Sequence, residues 1–367
     1  MTRAIVHRFL DQIELAGYKS IRELKPLRLN HGLNVLIGAN GAGKTNFIRF
    51  FEMLANIMDS NKGLQQYIAT RGRADAFLFR GMKVTPELHA HLWFGLNEYK
   101  FTLRGAADRS LFFAQEAAPF DGPKHGPEEN DLGSGHLESV LVRKKALKAS
   151  ERWVMETITN WRLYHFHDTS VTAPVMGLSN LVDNAVLHGN AANLAPFLRQ
   201  MAQSHPEHFA RIEETVRQVA PFFGVFDLRE VAPGQTQLLW KERYSDLLYY
   251  PHQLSDGTVR FICLAALLLQ PTPPAMILID EPELGLHPFA IKLLGSLLHE
   301  VAQRVQLIVS TQSSLLLDEL TPEEVIVVNH QNGASVLERL DAERLAGWLE
   351  EYTLGQLWEK NTLGGLP

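Results

Sequence analysis

The chain has 367 residues, 46% of them hydrophobic and 21% charged, which is enough to bury one large core or two ordinary ones. Its net charge of −6 excludes a protein that is basic overall, though not a basic patch on one face. The longest apolar run, residues 261–269, is about half of the ~20 residues a bilayer span needs, and the single cysteine, Cys263, excludes a disulfide framework and a cysteine-based zinc site. The charged first residues do not read as a signal peptide, so a cytoplasmic protein with no membrane contact is expected.

Residues 13–29 read as strand, turn and strand. Residues 33–37 are a short apolar run ending at Gly38, which suits a buried strand. Residues 44–58 have helical spacing through Phe47, Ile48, Phe51, Leu54 and Ile57. Residues 89–103 read as a hairpin turning at Gly95-Leu96-Asn97. Residues 117–135, rich in Pro, Gly and acid, read as a mobile loop. Helices are expected over 137–159 and across 178–221, where Phe209, Ile212, Val216 and Val219 share a face. A second α/β pattern follows: a helix over 257–269, a strand over 276–279, a helix over 288–304 and a strand over 306–309. Residues 341–358 read as an acidic helix. The expected division is therefore 1–136 and 233–340 as two parts of one α/β unit, 137–232 as a mainly helical insert, and 341–367 as a terminal helix and tail.

The strongest motif is Gly38-Ala39-Asn40-Gly41-Ala42-Gly43-Lys44-Thr45, with a strand before it and a helix after it. A phosphate group is a dense anion; glycines let backbone N–H groups curl around it, and the new helix points its positive end at it. Lys44 supplies a point charge for β/γ-phosphates, and the Thr45 hydroxyl can ligate Mg2+. The second motif is the apolar run 276–279 delivering Asp280 and Glu281 to a strand end. Asp280 there can hold Mg2+ directly or through water, and Glu281 can position or deprotonate an attacking water. The third is Leu254-Ser255-Asp256-Gly257-Thr258, opening a helix with Ser255 as a natural N-cap.

The order of these motifs resembles that of ATP-binding-cassette ATPases. Residues 280–288 resemble the loop after their catalytic carboxylate, where subunits meet, and Gln312 occupies the place of their switch histidine. Gly17-Tyr18-Lys19-Ser20-Ile21, and the asparagines Asn40 and Asn46 in the phosphate loop, resemble the RecF/SMC branch. Residues 164–170, 219–223, 254–261 and 357–367 extend a likeness to stand-alone bacterial predicted ATPases of that RecF/SMC-like family over nearly the whole chain. The resemblance implies an α/β fold of the P-loop NTPase type, with an antiparallel β subdomain and a helical insert. It also implies ATP with Mg2+ as cofactors and a head-to-tail homodimer sandwiching two nucleotides. Carried over, residues 38–46 and Lys44 would hold phosphate, Thr45 and Asp280 the metal, and Glu281 the water. Ser255, Asp256 and Gly257 would meet the γ-phosphate of the opposite copy. Gln312 cannot carry a proton as histidine does, so it would act by hydrogen bonds alone and turnover would be slow. The glutamine loop that senses Mg2+ has no clear place; Gln115 lies in the nearest suitable stretch.

Only 55 residues follow Gln312, too few for the metal nuclease domain of DNA-cleaving relatives, and there are no heptads for SMC arms. The expectation is a switch acting on DNA or on a separate nuclease-like effector, in DNA repair or phage defence. A transporter nucleotide-binding subunit and a slow ATP-binding sensor are the rival readings. Arg143, Lys144, Lys145, Lys148 and Arg152 form a basic cluster on one expected helix, read as a solvated face with DNA contact as the alternative. His165, His167 and Asp168 are read as structural or nucleotide-side rather than as a metal site. Tyr18 is open between stacking on adenine and core packing. Phe222 and Phe223 are expected in the core, and Trp348 and Trp358 as docking residues of the last helix.

Overall fold

Continuous apolar runs in this chain form parallel strands buried on both faces, while period-two runs form an antiparallel sheet. A computed structural model describes residues 8–122 and 126–364. It opens with β1 (Gln12–Tyr18), β2 (Ile21–Arg28) and β3 (Leu33–Ile37), followed by α1 (Lys44–Ile57) and α2 (Gly63–Ala69). Next come β4 (Glu87–Phe94), β5 (Asn97–Gly105), β6 (Leu111–Ala117), β7 (Phe120–Gly122), β8 (Gly126–Glu128) and β9 (Asp131–Gly133). Helices α3 (Val140–Arg143) and α4 (Ala149–Thr159) lead to β10 (Trp161–Tyr164) and β11 (Ser179–Asn180), then α5 (Leu194–Ser204) and α6 (Pro206–Val219). The short strands β12 (Phe223–Asp227), β13 (Glu230–Ala232), β14 (Gln235–Thr236), β15 (Leu239–Glu242) and β16 (Leu248–Tyr249) follow. The chain continues through α7 (Asp256–Leu268), β17 (Met276–Asp280), α8 (Pro288–Ala302), β18 (Gln306–Thr311) and α9 (Ser314–Leu317). It closes with β19 (Val325–Gln331), β20 (Ala334–Arg339), α10 (Ala342–Leu349) and α11 (Leu354–Glu359).

The central sheet has the order β10-β17-β18-β3-β19-β20 and is parallel except for β20. Alternate residues of its strands serve two cores. Leu36, Leu278, Ile308 and Ile326 pack with α1 and the antiparallel sheet, whereas Val35, Ile277, Val309 and Val327 pack with α5 to α8. The antiparallel sheet runs β2-β1-β4-β5-β6-β9. Helix α1 is wedged between the two sheets, which is why Phe47, Phe50, Phe51 and Leu54 are all fully buried. A helix apolar around most of its circumference is one that has protein on both sides.

Several expectations change. Residues 117–135 are not a free loop: β7 pairs with β5 and β8, and β9 pairs with β6, so this segment lengthens the sheet edge. The stretch 137–232 is not purely helical. It supplies β10, which pairs with β17 in the central sheet, and residues 178–193 hold only β11 before α5 begins. The helix expected over 137–159 is two, broken at 144–148, so the basic cluster is divided between α3, the break and α4. Within it Lys144 pairs with Glu151 and Lys148 with Glu128. Tyr18 is fully buried with its ring edge-on to Phe50, so it is core and offers no face to a base. Phe223 is core, but Phe222 is half exposed because it sits outside the turn into β12. The final helix divides into α10 and α11, with Trp358 docked and Trp348 half exposed. Of the motif at 357–367, residues 365–367 lie outside the described residues.

Candidate nucleotide site

Parallel strands that are neighbours present their C-terminal ends on one rim. Here that rim gathers the ends of β10, β17, β18 and β3, in register through Tyr164–Ile279, Asp280–Ser310 and Thr311–Ile37 pairings. The motif residues that follow β3, β17 and β18 are thereby brought together, although Thr45 and Asp280 are 235 residues apart.

The loop after β3 turns through positive φ at Gly41 (81°) and Gly43 (116°). A Cβ at Gly43 would lie 2.1 Å from Ser335 Oγ, so only glycine fits there. Gly43 is also the N-cap of α1 and offers no side-chain cap, which leaves the first N–H groups of a 14-residue helix uncapped by a side chain. The Lys44 ammonium donates to the carbonyls of Gly38 (2.5 Å) and Ala39 (3.1 Å). Burial lowers the Lys44 pKa, opposed by the negative charges of Glu281, Asp280 and Glu283. The loop is clamped from outside: Ser335 Oγ donates to Ala42 O (2.5 Å) and is hydrogen-bonded to the Ser20 hydroxyl (2.8 Å), and Asn46 Nδ2 donates to the same Ser20 oxygen (2.8 Å). The Asn46 side chain thus holds the β1–β2 turn.

Thr45 Oγ1 donates to Asp280 Oδ2 at 3.1 Å. The other Asp280 oxygen accepts from Ser310 Oγ, and Asp280 is 5% exposed. Beyond it, Glu281 adopts a left-handed backbone at φ 47°, which is uncommon for a residue with a Cβ. Its carboxylate accepts from Gln312 Nε2. The Gln312 backbone N–H donates to Glu283 Oε1 (3.0 Å), as does Thr311 Oγ1 (2.6 Å). Burial raises the Glu283 pKa against these two hydrogen bonds.

At the end of β10, His165 Nδ1 lies 3.8 Å from Asp280 Oδ2, and the His167 imidazole bonds the Asp280 carbonyl through Nε2 (2.7 Å). Burial lowers the His165 pKa, with Asp280 opposing. Ser255 caps α7 by accepting from Thr258 N (3.2 Å), and Ser255 and Asp256 are exposed. A Cβ on Gly257 would meet Gly285 O at 2.5 Å, so α7 begins against the loop after β17 rather than against the phosphate loop. Behind it, buried Arg260 donates to Phe166 O (2.7 Å), His167 O (2.9 Å) and Leu284 O. Gln115 lies on β6, exposed on the face of the antiparallel sheet, opposite Thr102.

The donor set fits a magnesium nucleotide. Thr45 and Asp280 offer hard oxygens, the Gly41 position has nothing within 4 Å of an added Cβ, and Lys44 stands beside uncapped helix N–H groups. Among the described residues no three His, Cys, Asp or Glu side chains form a ready-made metal cluster, so phosphate oxygens would have to complete any coordination sphere. Sequence reasoning left Ser20, Arg260, Glu283, Ser310 and Ser335 without roles. Ser310 and Glu283 adjoin the motifs and were within its reach; Ser20 and Ser335 act across 315 residues, which no local pattern shows.

Sheet order and rim together define a P-loop ATPase domain of the RecF/SMC-like cassette class. The chain belongs to the family described as "AAA domain, putative AbiEii toxin, Type IV TA system", which matches residues 33–318. No curated protein matches it. Among solved structures it is similar to an Smc head bound to the C-terminal winged-helix domain of ScpA, with TM-score 0.59 and 16% identity over 92% of this chain and 99% of that one. It is also similar to an Smc head domain with an extended coiled coil from Pyrococcus furiosus, bound to the C-terminal domain of ScpA. There the TM-score is 0.56 and the identity 15%, over 94% and 99% of the two chains. A third likeness is to an Smc head with a coiled coil and joint from Pyrococcus yayanosii, with TM-score 0.52 and 12% identity over 94% and 99%. At these identities the likeness is one of fold. No helix among the described residues is long and apolar enough to cross a membrane.

Proposed function

We propose that the chain binds Mg–ATP on this rim, hydrolyses it, and uses ATP to join two copies head to tail. The observation that carries the reading is the 3.1 Å contact between Thr45 Oγ1 and Asp280 Oδ2, which places two hard donors beside Lys44 and Glu281. Bound Mg2+ would neutralise phosphate charge and orient the γ-phosphoryl group. Lys44 and the N–H groups of residues 41–45 hold β- and γ-phosphate oxygens, while Thr45 and Asp280 hold the metal. Glu281 accepts a proton from the attacking water, and Gln312 fixes the direction of that carboxylate. The exposed start of α7 (Ser255, Asp256, Gly257) lies away from the phosphate loop of its own chain and serves the nucleotide of a second copy.

The switch acts on a separate effector, in DNA repair or phage defence. Two things support this reading. The Smc heads of similar fold are bound to a domain of ScpA, and the family description names a toxin–antitoxin system. DNA contact is the narrower part of the proposal and rests on Arg143, Lys145 and Arg152, which make no ion pair among the described residues.

Titration with a fluorescent ATP analogue, phosphate release and light scattering test the core of the reading. Lys44→Ala should lose nucleotide affinity. Glu281→Gln should keep it, release phosphate on the order of a hundredfold more slowly, and accumulate a two-copy species with ATP. Equal phosphate release by wild type and Glu281→Gln would remove Glu281 from catalysis, and full affinity in Lys44→Ala would remove the site.

A further inference from the structure

The rim holds one group that the motifs leave unused. Pairing of Tyr164 with Ile279 sets His165 beside Asp280, at the first position past the paired end of β10. Its backbone is fixed on several sides. His165 N donates to Gly189 O (2.7 Å), the His167 imidazole bonds the Asp280 carbonyl (2.7 Å), and Arg260 holds the carbonyls of Phe166 and His167. The His165 side chain is only about one-third exposed, and Nδ1 faces the same Asp280 oxygen that Thr45 reaches.

The separation of 3.8 Å between His165 Nδ1 and Asp280 Oδ2 is too long for a hydrogen bond. Adjacent donors bound at ~2.1 Å to an octahedral metal lie roughly 3 Å apart, so the two groups stand within about 1 Å of the spacing of ligands that share one ion. Thr45 and His165 thus approach the same Asp280 oxygen from different elements, α1 and the exit of β10.

Resting on the Mg–ATP reading above, the geometry points to His165 as a nitrogen ligand of the nucleotide-bound cation, making the site a mixed oxygen–nitrogen site that favours Mn2+ over Mg2+. Mg2+ is a hard ion that keeps oxygen and water ligands, so an imidazole in its sphere gains it little. Among divalent ions, the first-row transition metals accept imidazole nitrogen far more readily, and Mn2+ combines that with the same preference for carboxylate and phosphate oxygen. His167 and Arg260 are positioning residues here; neither touches the cation.

The test uses the full chain with Mn2+ and ATPγS. Electron spin-echo spectroscopy of the Mn2+ should show coupling to a directly bound imidazole nitrogen. That coupling should change when the protein carries 15N-histidine and vanish in His165→Gln. His165→Gln should also lower the ratio of ATPγS affinity in Mn2+ to that in Mg2+ at least fivefold. Bound Mn2+–ATPγS without histidine coupling in the wild type would overturn the assignment while leaving the nucleotide site standing. Failure of ATPγS to bind with either ion would overturn both.

Discussion

The side-chain amide of Gln312 donates to the carboxylate of Glu281 across the adjoining ends of β18 and β17. Glu281 stands on a left-handed backbone, and Gln312 is itself anchored through its N–H to Glu283. The carboxylate is therefore aimed by Gln312, which Glu283 in turn anchors. Hydrogen bonds to charged groups are worth about 1.5–3 kcal/mol, so Gln312→Ala should slow phosphate release roughly tenfold to a hundredfold. ATP affinity should stay within about twofold. Gln312→Glu, nearly identical in shape, sets two carboxylates against each other and should lose more than the alanine variant. If the glutamate variant turned over as fast as wild type, the aiming role would be gone.

The exposed cap of α7 predicts a separation of binding from pairing. Ser255→Arg adds bulk and charge at the start of the helix, which packs near Gly285 and not on its own phosphate loop. Nucleotide affinity of the single chain should be unchanged, while the ATP-dependent two-copy species seen by light scattering disappears. Loss of the cap should cost only about 1 kcal/mol of stability. Retention of the two-copy species would place the contact elsewhere.

Arg260 joins three carbonyls from two loops through one buried guanidinium, whose pKa burial lowers. Arg260→Met should leave all three without a donor and cost on the order of 3 kcal/mol, lowering the Tm by several degrees. Arg260→Lys, which reaches fewer of them, should fall in between. A methionine variant as stable as wild type would show that water takes over the carbonyls.

Glu283 predicts a pH-dependent stability difference. Its folded-state pKa is raised by burial, so the folded chain keeps a proton that the unfolded chain releases. Wild-type stability contributed by this group is present at low pH and is lost as pH rises from the unfolded value through the raised one. Glu283→Gln has no such loss and can still accept from Thr311 and Gln312. Its Tm should match wild type near pH 4 and exceed it at pH 8, by differential scanning calorimetry without nucleotide. A constant offset across that range would show that burial does not control this carboxyl.

For DNA contact, reversing Arg143, Lys145 and Arg152 to Glu should weaken duplex binding several-fold and flatten its dependence on salt. The corresponding change at Lys144 should act mainly through stability, since that ammonium already pairs with Glu151. Unaltered binding by the triple variant would reject the patch.

The parts of the site that could be read from the sequence are those where a parallel strand, buried on both faces, runs straight into its functional residue: residues 33–45 and 276–281. There, local composition and tertiary role coincide. Strand β10 escaped because four residues, buried at the two ends and half-buried between, carry no such signature, and with it went the placement of His165 next to Asp280. Residues 178–193 looked helical because apolar residues happen to recur at that spacing, while Asn and Gly at 180, 184, 189 and 190 mark the turns that actually form. The β19–β20 hairpin was not read, although Asn332-Gly333, both at positive φ, is the pattern a two-residue turn requires. Tyr18 was undecidable locally, since what buries it is Phe50 from the far side of the phosphate loop.

The clamp formed by Ser20, Ser335 and Asn46 around the loop at Ala42 and Gly43 also sets an order on biosynthesis. The glycine turn emerges from the ribosome early, but the hydroxyl that closes over it arrives almost three hundred residues afterwards, on a strand that must first find β19. Until then the loop has only its local bonds, from Lys44 to Gly38 and Ala39 and from Asn46 to Ser20, so the growing chain carries an unclosed cradle through most of its translation. Closure of the proposed nucleotide cradle consequently belongs to the last stages of this polypeptide's synthesis.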